Sequence, residues 1–439
     1  ALGSPAHGNP LMLPLERSVA LAQQHDPWLQ RSHLRQQALE ARGSAAGSYS
    51  DPVLNVGFAN LPTDSFDFDQ EAMTQFKVGV SQVFPRGDSR DLRQKQLALE
   101  ARQHPHLRAQ RRAQVAVEVS DLWLEAFRAA ETNRLIEQDR NLFEHLVDVA
   151  ESSYASARGG ARQQDLIRAQ LELTRLEDRM TRLDQQYAVA ASRLGQWLQP
   201  PGLPAQSLQS LGRELPPLSL AYPQLLQDAD ATGLAQQFSK HPTLQSLEQR
   251  IAASETRVSL AEQKYKPQWQ LSASYGYRDD DPMGRDRADF FSVGVAFDLP
   301  LFTSRRQDQQ VQSAVADSEA TRTDRALELR RMLAEFDTQR SRLARLERRR
   351  QLYESRLLQE MQEQAEASLT AYTNDEGDFA EVVRARIDVL NTRIEALDIE
   401  VDRLKTISRL NYFFVESSLE EQEVQPRDPT VHAPHCRNW

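Results

Sequence analysis

Trp269-Gln270-Leu271-Ser272-Ala273-Ser274-Tyr275-Gly276-Tyr277 is the stretch on which the reading of this chain turns. Trp269, Leu271, Ala273, Tyr275 and Tyr277 point one way, and Gln270, Ser272, Ser274 and Gly276 the other, because side chains alternate along a strand. A second run follows: Phe291, Val293, Val295 and Phe297 oppose Ser292, Gly294, Ala296 and Asp298. Two earlier runs share the pattern. Leu54, Val56 and Phe58 oppose Asn55, Gly57 and Ala59; Phe76, Val78 and Val80 oppose Lys77, Gly79 and Ser81. Alternation over about 9–10 residues, apolar on one side and small or polar on the other, is the pattern of a membrane barrel strand. Taken singly, each run fits a soluble hairpin with one buried face. The reading shifts because only four such runs exist and long helices flank them.

The two strand pairs belong to a duplication. At a constant offset of 215 residues, Pro27 matches Pro242, Leu29 matches Leu244, Ala38 matches Ala253, and Glu40 and Arg42 match Glu255 and Arg257. Phe76, Val78, Gly79 and Val80 recur as Phe291, Val293, Gly294 and Val295; Pro85 and Arg90 recur as Pro300 and Arg305. So long a period is a duplicated half-molecule rather than a solenoid unit. Each half reads helix, strand, strand, long helix, return helix. The expected layout has an N-terminal equatorial segment over 1–26 and a first repeat over 27–198. That repeat has strands about 52–60 and 75–84, a long helix about 87–158 and a return helix about 163–198. A Pro-rich equatorial linker covers 199–241. The second repeat, 242–414, has strands about 267–277 and 290–299 and helices about 304–373 and 378–412. A tail over 415–439 reads as disordered.

Each long helix spans about 70 residues, or about 105 Å at 1.5 Å per residue. Val115, Leu122, Ala129, Ile136, Phe143 and Ala150 fall at successive sevens. The first return helix carries two seams, Leu166, Leu173, Met180, Tyr187 and Leu194 beside Ala169, Leu176, Leu183, Ala190 and Trp197. In the last helix Val383, Leu390, Leu397 and Leu404 interleave with Ile387, Ile394 and Val401. Two adjacent seams imply neighbours on two sides, as in the wall of a tube, whereas a two-stranded coiled coil needs one. Four strands cannot close a barrel, and open edges are not tolerated in lipid. Three copies would supply twelve strands.

Composition agrees. Hydrophobic residues are 40% and charged residues 26% of 439, with a mean hydropathy of −0.62, which suits long half-exposed helices. A net charge of −10 argues against a nucleic-acid partner. No apolar run is long enough for a transmembrane helix. The single cysteine, Cys436, excludes a disulfide framework.

The duplicated unit, the Tyr154…Gly159-Gly160…Asp165-Leu166…Arg168-Ala169-Gln170 tip and its counterpart Tyr372…Gly377…Val382-Val383-Arg384-Ala385 resemble the TolC-like outer-membrane efflux factor family over nearly the whole chain. Met73 to Gly87 is most similar to the heavy-metal (cation) efflux branch of the tripartite systems driven by resistance–nodulation–division (RND) pumps. The resemblance implies a mostly α protein with a membrane β-barrel, a homotrimer whose 12-stranded β-barrel continues into a long α-helical barrel. It implies a passive duct in the outer membrane of a Gram-negative bacterium, extending into the periplasm, in contact with outer-membrane lipid. Its partners would be a periplasmic adaptor and an inner-membrane RND pump, its substrates metal cations. A type I secretion or multidrug outlet on the same fold, and a soluble coiled-coil scaffold, are the alternatives. Many relatives carry an N-terminal lipidated cysteine; none stands here, which implies an unlipidated mature or trimmed form.

No P-loop, zincin, nucleophile-elbow or dinucleotide signature is present, so no enzyme, cofactor or metal site is expected. The expected chemistry is a gate and a docking surface. Asp375, Glu376, Asp378 and Glu381 concentrate charge at the second tip, where a trimer would make rings favouring cations. An ordinary turn with acids near a helix N-terminus has the same composition. Arg384 could tie these acids across a helix boundary. Gly159, Gly160, Asp165 and Gly377 are candidates for adaptor docking, or simply helix punctuation. His104 and His106 are expected on an exposed face, with Pro105 kinking the helix. His432, His435 and Cys436 have ligand types but read as a free tail. The acids Asp64, Asp67, Asp69 and Glu71, and Asp279 to Asp281, read as solvated loops.

Overall fold

A computed structural model describes residues 13–155, 163–199, 214–224, 231–374 and 376–416. The elements run α1 (Leu15–His25), α2 (Pro27–Ala46), β1 (Val53–Ala59), β2 (Gln75–Phe84), α3 (Ser89–Ala155) and α4 (Gln163–Leu198). Then follow α5 (Ala231–Phe238), α6 (Pro242–Glu262), β3 (Trp269–Tyr277), β4 (Phe290–Phe297), α7 (Gln307–Leu352), α8 (Leu358–Thr373) and α9 (Phe379–Tyr412). The four strands form one antiparallel sheet in the order β1-β2-β3-β4, so β1 and β4 are its edges.

The helices stand in columns. α3 packs on α2 and α4 on one side and on α6 and α9 on the other; α7 and α8 flank α6 and α9. The heptad seams become the core. Val115, Ala129, Ile136 and Phe143 are buried, as are Leu194 and Ala190 on α4 and Val383, Leu390, Val401 and Leu404 on α9. Trp123 anchors one cluster with Leu15, Ala22 and Leu194, its indole donating to Leu13 O at 3.0 Å. Phe238 of α5 packs with Phe336, Phe413 and Phe414 in another.

Short helices stack end to end through matched junctions. His25 Nδ1 meets the carbonyl of Leu198 at 2.8 Å, seating α2 on the end of α4. His241 Nε2 meets the carbonyl of Tyr412 at 3.0 Å, seating α6 on α9. Each upper helix opens with proline at its first position, where the missing N–H costs nothing. Asp26 caps α2 by accepting from Trp28 N at 3.0 Å and pairs with Arg111 at 2.7 Å. His241 caps α6 by accepting from Thr243 N at 3.2 Å. It therefore accepts at Nδ1 and donates from Nε2–H. Burial pushes its pKa down to about 4, so it is neutral near pH 7.

Two expectations are corrected. The second long helix runs unbroken from Gln307 to Thr373 but is not α-helical throughout: a π-helical turn, Tyr353–Leu357, joins α7 to α8. Buried or part-buried positions step by seven from Leu346 to Tyr353, then by eight to Met361. A π turn absorbs one such extra residue. Tyr353 is buried there and its hydroxyl donates to Glu395. His104 and His106 are also not on an exposed face. His106 is buried and His104 half-buried, bonded to Ser32 Oγ at 2.9 Å, because α3 is flanked on both sides. Burial lowers both pKa values, with Arg108 and Arg35 adding to the effect at His104. α3 runs on through Pro105.

Candidate channel wall and helical tip

Strand register sorts the sheet into two faces. Val80 lies opposite Leu54 and Ala273, and Ala273 opposite Val293; Val78 lies opposite Val56 and Tyr275, and Tyr275 opposite Phe291. Residues paired across an antiparallel ladder share a face, so apolar rows cross all four strands. No described residue covers these side chains: Leu54 is 67% exposed, Phe291 72% and Val293 63%. The opposite rows read Asn55-Gly79-Ser274-Ser292 and Ser81-Ser272-Gly294, with Lys77 between Gly57 and Gly276. Leu54, Val56, Phe58, Phe76, Val78, Leu271, Ala273, Val293 and Val295 thus share one face, and Asn55, Lys77, Ser272 and Ser292 the other.

Aromatic rings bound the apolar face at both ends. Toward the helices, Trp269 and Phe297 lie 4.9 Å apart and Phe84 meets Tyr49 at 5.8 Å. Toward the loops, Phe58 contacts Phe76 at 5.3 Å and Phe68 at 5.9 Å, and Phe68 stacks on Tyr277. Two aromatic girdles flanking an apolar band are the arrangement of a barrel in a bilayer. The loops are tied by arginines. Arg278 donates to Ala72 O at 2.9 Å and Ala288 O at 2.8 Å, and Arg287 to Asp69 O at 3.1 Å.

Where strands hand over to helices, the two repeats lock. Arg86 pairs with Asp298 and donates to Lys266 O at 2.8 Å, while Lys266 Nζ reaches Asp88 at 3.1 Å. Gly87 has φ +44°, and a Cβ there would lie 2.3 Å from Lys266 Cδ. Only glycine meets both demands. None of this lock is expected from the residues alone; the change from Arg86-Gly87 to Leu301-Phe302 between repeats is its one visible signal.

At the second tip, α8 ends at Thr373 and α9 begins at Phe379. Glu376 N closes back on Ala371 O at 2.9 Å, and Tyr372 packs on buried Phe379, their ring centroids 5.4 Å apart. Gly377 passes so close to α8 that a Cβ would stand 2.8 Å from Tyr372 N. Asp378 caps α9, accepting from Ala380 N at 3.0 Å. Glu376, Glu381 and Arg384 are exposed, without a side-chain ion pair among the described residues. Arg384 therefore ties down no described acid within one copy. Asp165 lies in the first turn of α4. Asp375, Gly159 and Gly160 lie outside the described residues, as do His432, His435 and Cys436.

Midway along the helices a cavity of about 530 Å³ opens between α3, α7 and α9. Asp121–Arg409 at 2.7 Å borders it, with Lys405–Glu125 at 3.0 Å alongside. No group of His, Cys, Asp or Glu among the described residues is arranged to hold a metal ion.

Residues 234–411 match the sequence model of the outer membrane efflux protein family. No curated protein sequence matches the chain. Among solved structures, the outer-membrane channel OprN is similar with a TM-score of 0.75 at 17% identity, over 92% of this chain and 90% of that one. The outer membrane protein VceC from Vibrio cholerae is similar at 0.73 and 16%, over 92% and 97%. CusC is similar at 0.72 and 14%, over 94% and 95%. The chain has the fold of the TolC-like outer-membrane channels, mostly helical with a small antiparallel sheet.

Proposed function

We propose that three copies of this chain form the outer-membrane duct of a tripartite efflux system. One observation carries the reading: an open four-stranded sheet with an exposed apolar face and two bare edge strands. In water that face would aggregate. In lipid the edges would leave backbone groups unpaired at several kcal/mol each. Closing twelve strands removes both difficulties, placing Val293 and its row against lipid and Ser292 and its row on the lumen. The family match over residues 234–411 and the channel fold support an outer-membrane efflux protein. The helical columns would then extend through the periplasm toward an adaptor and an RND pump. Nothing in this reading requires catalysis.

The acids at the second tip, Asp375, Glu376, Asp378 and Glu381, would form rings at the narrow end, and Arg384 would reach a neighbouring copy. Gly159, Gly160, Asp165 and Gly377 would receive the adaptor. The similarity of Met73 to Gly87 to the cation-efflux branch makes metal cations the proposed substrate. Single-channel recording in planar bilayers tests the duct. A stable, cation-preferring conductance is expected, whereas protein that stays soluble without detergent and never conducts would refute it. Deleting the gene should sensitise cells to metal cations; sensitivity confined to organic drugs would reassign the substrate.

A further inference from the structure

The duplication makes the seam within the chain a template for the seam between copies, and this inference rests on the oligomeric reading above. Inside the chain, repeat one meets repeat two through β2 on β3 and α3 on α6. The same offset carries that contact to β4 on β1 and α7 on α2 of the next copy. Residues in contact across the internal seam differ at the matching places on this outer flank, on both sides of the contact in two cases and on one side in a third. Arg86 and Asp298, an ion pair inside, become Leu301 and Val83. Glu100, paired with Arg257 at 2.9 Å, becomes Val315, while the arginine is kept as Arg42. Gly87, crowded by the long Lys266 and by Gln263, becomes Phe302, while those two neighbours become the shorter Asp51 and Ser48. Small against large inside is matched by large against small outside.

Leu301, Phe302 and Val315 are exposed, Phe302 at 88%. The receiving flank is bare as well: a shallow groove on α2 is lined by Pro27, Leu34 and Ala38, whereas Pro242 and Ala253 at the matching positions of α6 are buried.

We propose that Leu301 and Phe302 of one copy seat on the Ser48–Asp51 segment and Val83 of the next, beside a β4–β1 ladder in fixed register. Phe84 opposite Trp269, Gln82 opposite Leu271 and Val80 opposite Ala273 translate to Leu299 opposite Leu54, Phe297 opposite Val56 and Val295 opposite Phe58. All six then lie on the apolar face. A slip of one residue would turn one copy's row inward. At Leu301 and Val83 the seam is apolar where the internal Arg86–Asp298 contact is ionic, so the copies associate there through shape and burial.

Cysteine pairs in a Cys436→Ser background test this in outer membranes. With a short thiol cross-linker, Ala296→Cys with Gly57→Cys, and Phe302→Cys with Ser50→Cys, should each give covalent dimers and trimers. Ala296→Cys with Asn55→Cys or Ala59→Cys should not. A volume swap adds a second arm. Asp51→Lys should lower the trimer fraction at least several-fold, and Phe302→Gly added to it should restore the trimer. Trimers by native mass that link only through the slipped pairs, or that ignore the swap, would overturn the seam and leave the duct reading standing. Protein that is monomeric by native mass in detergent and gives no link would overturn both. Phe302→Cys protected by lipid instead of by the neighbour would also overturn the seam.

Discussion

Helices α2 and α6 occupy equivalent places in the two repeats, yet only Ser32 and Gly43 of α2 are buried, against nine residues of α6. Their sequences do not explain this. Pro27, Leu29 and Ala38 match Pro242, Leu244 and Ala253, and the first three are exposed or half-exposed while the last three are buried. What differs is the company. α6 stands between α3 and α7, whereas α2 has α3 on one flank and no described helix on the other. The same contrast holds in the sheet, where β2 and β3 pair on both sides and β1 and β4 on one. On the proposed trimeric reading, a chain that repeats a two-sided residue pattern but satisfies it once is half of an interface.

The largest expected effect is on the apolar face. Val293→Arg should destabilise the membrane-inserted protein by about 2–4 kcal/mol if it lies near the midplane, measured by urea unfolding in lipid. Ser292→Arg, one residue along, should cost far less. Equal costs at both positions would remove the distinction between the two faces.

The two helix junctions come next. His241 binds its proton only near pH 4 when folded and near 6.5 when unfolded. Between those values the unfolded chain holds more protons, so stability falls as pH drops through the window and is unaffected above it. The loss approaches about 3 kcal/mol at about 1.4 per pH unit. His104 and His106, lowered in the same direction, add to it. His241→Asn can still cap Thr243 and should flatten the acid limb. His241→Asp should do worse, because Asp26 is held by Arg111 whereas His241 has only the Tyr412 carbonyl and the Thr243 amide as its bonded partners. An acid limb unchanged in His241→Asn would assign the pH dependence elsewhere.

A third comparison sharpens α2 against α6 directly. Ala253→Leu overfills a buried site and should cost about 1–3 kcal/mol of protomer stability. Ala38→Leu should leave the protomer fold intact and instead alter the trimer fraction, read by native mass. If both changes weaken only the fold, α2 has no partner on its free flank.

The smallest effects belong to the tip. Asp378→Asn with Glu381→Gln preserves the cap of α9 and should reduce cation preference modestly, without changing the trimer. Removing Arg384 should raise resting conductance slightly, since exposed pairs contribute about 0–1 kcal/mol each. Selectivity untouched by the double change would make these acids ordinary turn residues.

Much of the fold is legible in the residues alone. Period two marks β1 to β4 and period seven marks the buried stripes of α3, α4 and α9, because alternation and heptads are local consequences of strand and helix geometry. The π turn is less legible, since its signal is one extra residue between Tyr353 and Met361. The burial of His104 and His106 is not legible, because it depends on lateral helices, which periodicity along one helix does not report. The Arg86–Asp298 lock joins residues far apart in sequence, and Asp378 reads alike as gate or cap, of which its bond to Ala380 N shows the cap alone. At the tip, residue types suggest chemistry that geometry within one copy does not complete.

Counting chains tests the central claim most directly. Native mass spectrometry of protein extracted from outer membranes in mild detergent should give three copies of the 50.0 kDa chain, with no lasting monomer at low concentration. A stable monomer, or a species that needs no detergent to stay in solution, would mean that the bare flank of α2 and the edges of β1 and β4 are not an interface between copies.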